Sequence, residues 1–242
     1  MNRNLTYFVS DVHLGLQVND PADRERRFVD FLKNLPEETA AVYLLGDIWD
    51  FWYEYQDVVP KGYVRVFAAL QALMDRGVDV FFFQGNHDIW TYSYFEELGM
   101  KKLTQPCLVQ ISGKTFCLGH GDGLGPTPFG YRLIKFIFNN KIIQRLFSML
   151  HPWIAYRIGN VWSKHSRLSH HEEYEFKGSQ EPLYKFVEEH TAKADFYIFG
   201  HYHTPADVTL PNGSRLLLLK DWISSSPYIS FDGTQLITDS NK

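Results

Sequence analysis

The sequence predicts an α/β protein: a layered sandwich of mixed sheets, interrupted by a helical insertion. Three observations predict it. Short apolar runs alternate with amphipathic stretches through the first 85 residues, later apolar segments read as antiparallel strands, and residues 123–171 break the strand rhythm. At 242 residues the chain suits one large domain with an inserted subdomain.

The elements follow in order. LTYFVS (5–10) is a buried strand, and 22–34 carries Phe28, Phe31 and Leu32 at helical spacing. AVYLLG (41–46) is the next strand, 62–76 the next helix through Val66, Phe67, Leu70 and Leu73, and VDVFFFQG (78–85) a third strand. This strand–helix–strand rhythm belongs to an open sheet with helices on its faces. CLVQIS (107–112), TFCLGH (115–120), RLLLLKDW (215–222) and YISFDGTQLIT (228–238) look antiparallel, and ADFYIFG (194–200) reads as a further buried strand. Two helices are expected at about 129–150 and 152–167, divided by His151-Pro152.

Composition removes several function classes. The net charge of −4 does not suggest a nucleic-acid binder. Cys107 and Cys117 offer neither a disulfide framework nor metal-ligand spacing, so a reducing, cytosolic setting is expected. The opening MNRNLTYFVSDVHLG lacks the apolar stretch of a signal peptide, and no apolar run reaches membrane-spanning length. An aromatic share of 16% leaves room for aromatic surface outside the core.

The chemistry concentrates where strands end, the edge at which open α/β sheets bind ligands. Asp11-Val12-His13 follows the first strand, and extended-chain alternation would point Asp11 and His13 the same way. Gly46-Asp47-Ile48-Trp49-Asp50 presents a carboxylate able to bridge two cations. Gly85-Asn86-His87-Asp88, Gly119-His120-Gly121-Asp122 and Gly200-His201-Tyr202-His203 complete the set. Each motif alone is more readily a turn, a cap or a surface histidine. Five together, supplying oxygen and imidazole donors without a thiolate, suit Mn²⁺, Fe²⁺ or Zn²⁺ over Cu⁺ or Ca²⁺.

The order of these motifs resembles the calcineurin-like metallophosphoesterases. The resemblance implies a four-layer α/β/β/α sandwich of two mixed sheets. It further implies that Asp11, His13, Asp47 and His203 hold one divalent ion and Asp47, Asn86, His120 and His201 a second, with Mn²⁺ expected ahead of Fe²⁺ or Zn²⁺. His87 would face the phosphoryl group, and Asp88 is expected to orient it. Ions roughly 4 Å apart would activate a water for in-line displacement. Asp50 and Asp122 are expected to order loops or support ligands.

Within that superfamily the chain is most similar to the UDP-2,3-diacylglucosamine pyrophosphatases of lipid A biosynthesis. SDVHLG (10–15), YLLGDIWDFW (43–52), GNHD, the stretch from His120 to Leu124, Trp162-Ser163-Lys164, GHYHTP (200–205) and Lys220-Asp221-Trp222 carry the likeness. It implies cleavage to UMP and 2,3-diacylglucosamine 1-phosphate at the cytoplasmic face of the inner membrane. An anionic glycolipid or nucleotide-sugar substrate and peripheral lipid contact would follow; neither nucleic acid nor an obligate protein partner is expected. The chain departs from the family at His87, where the best-known members carry arginine, and at Pro126-Thr127-Pro128, where they carry an acidic loop.

Residues 123–171 contain no Asp or Glu and seven Lys or Arg, so against −4 overall this segment is +7 and the remainder −11. Arg157, Asn160, Lys164 and Arg167 form one helical stripe, suited to a diphosphate or sugar. Ile154, Ile158, Val161 and Trp162, with Ile142, Ile143, Leu146, Phe147 and Leu150, would line an acyl pocket or lie on an anionic leaflet. A helical hairpin packed on the core with a solvated basic face is the plainer alternative. Two rival functions stand beside the lipid reading: hydrolysis of another small phosphoester, and a non-catalytic scaffold. Outside the motifs, His151, His165, His170, His171 and His190 read as surface or capping residues, and Arg24, Arg26 and Arg27 as a solvated helix face.

Overall fold

The computed structural model describes residues 3–168, 174–190 and 193–239, giving residues 160 and 162–168 as backbone only. Strand β1 (Leu5–Val9) leads into helix α1 (Pro21–Lys33). Asp20 caps α1 by accepting from the Ala22 and Asp23 N–H groups, with Pro21 in the first turn. Strand β2 (Thr39–Leu44), helix α2 (Val64–Asp75), strand β3 (Asp79–Phe83), the short helix α3 (Tyr94–Glu97) and strand β4 (Lys101–Leu103) follow. Strands β1 to β4 are mutually parallel in chain order. The antiparallel hairpin β10 (Tyr228–Phe231) and β11 (Leu236–Asp239) extends that sheet beyond β1. Its turn forms because the Asp232 carboxylate accepts from the Thr234 and Gln235 N–H groups.

The second sheet runs β5 (Cys107–Ile111), β6 (Lys114–Leu118), β7 (Phe196–Phe199), β9 (Arg215–Leu218), β8 (Ala206–Thr209). Its middle strands β6, β7 and β9 are parallel and its two edge strands antiparallel. Strand alternation sorts the side chains into layers. Tyr7, Val9, Val42, Leu44, Val80 and Phe82 turn toward α1 and α2, while Phe8, Tyr43 and Phe83 meet Phe116, Leu118, Ile198 and Leu217 between the sheets. Cys117, Tyr197 and Phe199 face the opposite way, onto helix α7 (Pro182–His190) through Leu183 and Val187. The result is the α/β/β/α sandwich. Part of the high aromatic content lies between the sheets, where Phe116, Phe8, Tyr43 and Phe81 stack in succession at 5.5, 5.4 and 4.4 Å.

Among the described residues between β6 and α7, three α-helices stand where two were expected: α4 (Phe129–Asn139), α5 (Lys141–Ser148) and α6 (Pro152–Leu168). The break comes from Asn140, whose side-chain oxygen accepts from the Ile142 and Ile143 N–H groups and so starts a new helix. Among the described residues no helix is long and apolar enough to cross a membrane.

Candidate metal centre

Every motif residue sits just beyond the C-terminal end of a parallel strand. Asp11 and His13 follow β1, Asp47 follows β2, Asn86 and His87 follow β3, His120 follows β6, and His201 and His203 follow β7. Because the two sheets face each other, these ends converge. Asp11, His13, Asp47 and His203 place one ligand atom each within 4.8 Å of one another. His203 Nε2 and His13 Nε2 lie 3.3 and 3.5 Å from Asp11 Oδ1, and 3.3 Å from each other. On the other side of Asp47, His120 Nε2 stands 3.4 Å from Asp47 Oδ2 and 3.2 Å from Asn86 Oδ1, with the His201 ring 5.1 Å away between centroids.

The backbone that achieves this is not the extended chain expected. Asp11, His13, Asp47, His201 and His203 have φ of +54°, +49°, +51°, +69° and +55°. Asp11 and His13 do approach one point, but through left-handed residues instead of strand alternation. Such conformations persist at functional sites because the surrounding structure imposes them. Two glycines permit the crowding. A Cβ on Gly85 would lie 2.1 Å from Asp47 Oδ1, and one on Gly200 would lie 2.2 Å from Asp11 Oδ2.

Each carboxylate is divided between structure and site. Asp47 Oδ1 accepts the His87 N–H at 2.8 Å, and Asp11 Oδ2 accepts the His201 N–H at 2.9 Å. Asp11 Oδ1 is buried and has no hydrogen-bond partner among the described residues, a state that suits a cation beside it. Asp47 Oδ2, within 4 Å of an imidazole nitrogen from each of His13, His87 and His120, is the atom both clusters share. The imidazoles are oriented from behind. His120 Nδ1 lies 3.0 Å from the Leu45 carbonyl, which can only accept, so Nδ1 carries a hydrogen and Nε2 is the nitrogen turned toward Asp47. His203 Nδ1 meets Asp221 Oδ2 at 3.2 Å.

The electrostatics mark the same place as favourable for positive charge. Burial disfavours ionised Asp47, but His120 and His87 beside it prevail and hold its carboxyl well below the usual carboxylate range. Burial likewise works against protonated His120, yet Asp47 and Asp11 prevail and raise it to about 10. Burial, reinforced by His120, pushes His201 down to about 3 and keeps it a neutral donor. Burial raises Asp11, with the nearby imidazoles opposing. The donor set, the orphaned Asp11 oxygen and the neutral His201 fit divalent ions.

Asp88 does not orient His87. Its carboxylate accepts the N–H groups of Asp47, Ile48, Trp49 and Gly85 at 2.7 to 3.3 Å and so shapes the loop carrying Asp47. Burial, then the charge of Asp47, raises the Asp88 carboxyl to about 7. The residue that turns His87 is Asp50, whose carbonyl lies 2.9 Å from His87 Nδ1 and whose Oδ1 lies 3.9 Å from it. The same Oδ1 lies 3.6 Å from His13 Nδ1. Adjacency in sequence suggested Asp88, whereas the turn after β2 brings Asp50 across.

Asp122 joins this centre to the helical segment. It accepts from Lys135 Nζ at 2.7 Å and the Tyr131 hydroxyl at 3.1 Å, both on α4. Burial opposes its ionisation, yet the charges of His120 and Lys135 prevail and lower its carboxyl. From the motif loops, Trp90 Nε1 donates to the Phe138 carbonyl at 2.9 Å and Tyr53 to that of Gln144 at 3.0 Å. Above these anchors the helices are open. Phe129 and Met149 are each 78% exposed, Ile142 72% and Trp153 64%, while Phe147 is turned onto Tyr53 and Trp90. Arg157 stands 5.4 Å over the Trp153 ring. The side chains of Asn160, Lys164 and Arg167, with those of Trp162 and His165, lie outside the described residues, as do His170 and His171.

Sequence reasoning also misplaced two arginines. Arg24 is buried and Arg27 is tied to the loop after Trp222, leaving Arg26 as the exposed member of the three. Arg24 precedes Phe28 and Leu32 by four and eight residues, a position on the apolar stripe that helical spacing alone reveals.

Comparison with known proteins agrees with the centre. Residues 5–205 match the sequence profile described as calcineurin-like phosphoesterase. A Porphyromonas gingivalis protein named UDP-2,3-diacylglucosamine hydrolase is 36% identical over 98% of each chain. Proteins of the same name from Proteus mirabilis and Aeromonas salmonicida are 33% and 30% identical, covering 83% and 90% of this chain and 82% and 85% of their own. With its ligand residues gathered at the facing ends of two mixed sheets, the chain belongs to the calcineurin-like phosphoesterase family.

Proposed function

We propose that this protein hydrolyses the diphosphate of UDP-2,3-diacylglucosamine to UMP and 2,3-diacylglucosamine 1-phosphate. Two divalent ions would serve it, Mn²⁺ ahead of Fe²⁺ or Zn²⁺, held by Asp11, His13, Asp47 and His203 and by Asp47, Asn86, His120 and His201. The observation that carries the substrate is the junction at Asp122: an acid-free helical segment with exposed apolar side chains is tied directly to the loop that bears His120. An anionic headgroup attached to acyl chains meets both surfaces at once. The relatives bearing that enzyme name agree in substrate class.

When bound, the ions would lower the pKa of a water and neutralise phosphoryl oxygens. Asp47 Oδ2 anchors the centre. His87, fixed through Nδ1 by the Asp50 carbonyl, presents Nε2 to the phosphoryl oxygens. Helices α4 to α6 serve as a lid within one domain, their apolar face receiving the acyl chains and resting peripherally on the cytoplasmic side of an inner membrane. Arg157, Asn160, Lys164 and Arg167 are assigned to the diphosphate and sugar.

Purified protein with Mn²⁺ and detergent-dispersed substrate in ¹⁸O-water should release UMP carrying the label, as attack on the α-phosphorus requires. Label in the sugar phosphate would refute that attack site. No turnover with Mn²⁺, Fe²⁺ or Zn²⁺, alongside cleavage of soluble nucleotide esters, would favour a smaller phosphoester. Sedimentation with vesicles containing anionic lipid should carry the protein down at low salt. Charge-neutral substitution of Lys141 and Arg145 should weaken it, and protein left in the supernatant under all conditions would exclude the membrane contact.

A further inference from the structure

We infer that Arg24 and Arg27 of α1 are positioning residues for His13 and His203, two imidazoles of a single ligand set. The inference rests on reading that set as a metal site. Arg24 is 1% exposed and donates to the carbonyls of His13 at 3.1 Å, Leu16 at 2.8 Å and Val18 at 2.9 Å. His13 has left-handed φ, so its carbonyl direction is set by what holds it and not by local preference. A planar guanidinium reaching three acceptors fixes that direction in a way a single ammonium does not.

Arg27 stands one turn on and grips the loop on the other side of the set. Its Nη1 donates to the Ser225 carbonyl and, at 2.8 Å, to the Ser226 hydroxyl; its Nη2 donates to the Trp222 carbonyl at 2.9 Å. Asp23 steadies the guanidinium through Nε at 2.8 Å. The loop so held begins at Asp221, whose Oδ2 orients His203 and whose Oδ1 accepts the Ile223 N–H at 2.9 Å. It also supplies the Trp222 N–H, which donates to the Asp11 carbonyl at 3.0 Å. Two arginines three residues apart on one helix thus reach three of the four members of the first ligand set. The rings they steady stack 4.9 Å apart. Asn86 and His120 are held differently, lying 3.2 Å from each other, with His120 Nδ1 3.0 Å from the Leu45 carbonyl. The arginines therefore act first on the geometry of one ion.

The test is Mn²⁺ binding by calorimetry and electron paramagnetic resonance on the metal-stripped full chain. Wild type should take two ions and show an exchange-coupled pair. In Arg27→Ala one of the two ions should bind about tenfold to a hundredfold more weakly, the range for loss of a group behind a metal ligand, and the coupled signal should give way to that of an isolated ion. Arg27→Lys should fall between the two. Arg26→Ala on the exposed face should bind as wild type. In a His203→Ala background, Arg27→Ala should cost less than it does in wild type, since part of its effect acts through that ligand. Thermal unfolding of each stripped protein separates general destabilisation from a change in one site. A wild type holding fewer than two ions refutes the dinuclear reading before any variant enters. With two ions in wild type, an Arg27→Ala protein that binds both as before, or binds both equally weakly, overturns the arginine assignment alone.

Discussion

Asparagine in place of Asp47 is expected to end hydrolysis, lowering kcat/KM by about 10³-fold or more, beyond the usual loss of one electrostatic stabiliser. Metal analysis after gel filtration should find fewer than two ions per chain. The expectation follows from Asp47 Oδ2 being common to the His13 side and the His120 side of the centre. Asparagine is the informative replacement because Asp47 has φ of +51°, which asparagine tolerates and alanine does not. Its side-chain oxygen can still accept the His87 N–H that Asp47 Oδ1 accepts, so the loop keeps its shape while the charge is lost. An Asp47→Asn protein that retains two ions and more than a tenth of the activity would refute the shared-ligand assignment.

Removing the His87 imidazole is the second large effect. His87→Ala should lower kcat by about 10²-fold, toward the low end for a lost acid–base or charge-stabilising group, with KM little changed. The low end follows from the proposed leaving group: a phosphate monoester has a second pKa near ~6 and departs with little acid assistance. His87 then acts mainly by stabilising charge. Substrates with a worse leaving group should suffer more from the substitution, because proton donation matters for them. His87→Ala losses that are equal across leaving groups of differing pKa would remove proton donation from its role. A KM rise without a kcat loss would remove His87 from the reacting centre. Metal content should stay at the wild-type value, since Asn86 and His120 are undisturbed.

How much of this was legible in the sequence differs by element. Strands β1, β2 and β3 were legible because each is an apolar run cut short by glycine or a charge. The five motifs were legible because they stand at those cuts. Strands β4 and β8 were not, being three and four residues long and partly exposed, with no apolar run to betray them. The helical segment was legible in its charge but not in its division at Asn140, since an asparagine cap and an asparagine on a helix surface look alike without the backbone. Partnerships across the site were the least legible. Asp50 and His87 follow the neighbouring strands β2 and β3, and Asp221 and His203 follow the neighbouring strands β9 and β7, so it is strand order within each sheet that brings each pair together. Neighbourhood in the chain favoured Asp88, which the fold had already committed to four backbone N–H groups.

The left-handed residues at the strand ends bear on how such a chain changes over generations. That backbone is disfavoured for side-chain-bearing L-residues by roughly 1–2 kcal/mol each, and less for asparagine and aspartate. Glycine is what the main chain prefers at Asp11, His13, Asp47, His201 and His203, and glycine is what the reaction cannot use. Selection for a sturdier fold and selection for catalysis therefore pull in opposite directions at these five places. A duplicate released from its reaction would gain stability by drifting toward glycine there, so that carboxylates and imidazoles still standing in left-handed backbone are themselves a record of selection on chemistry.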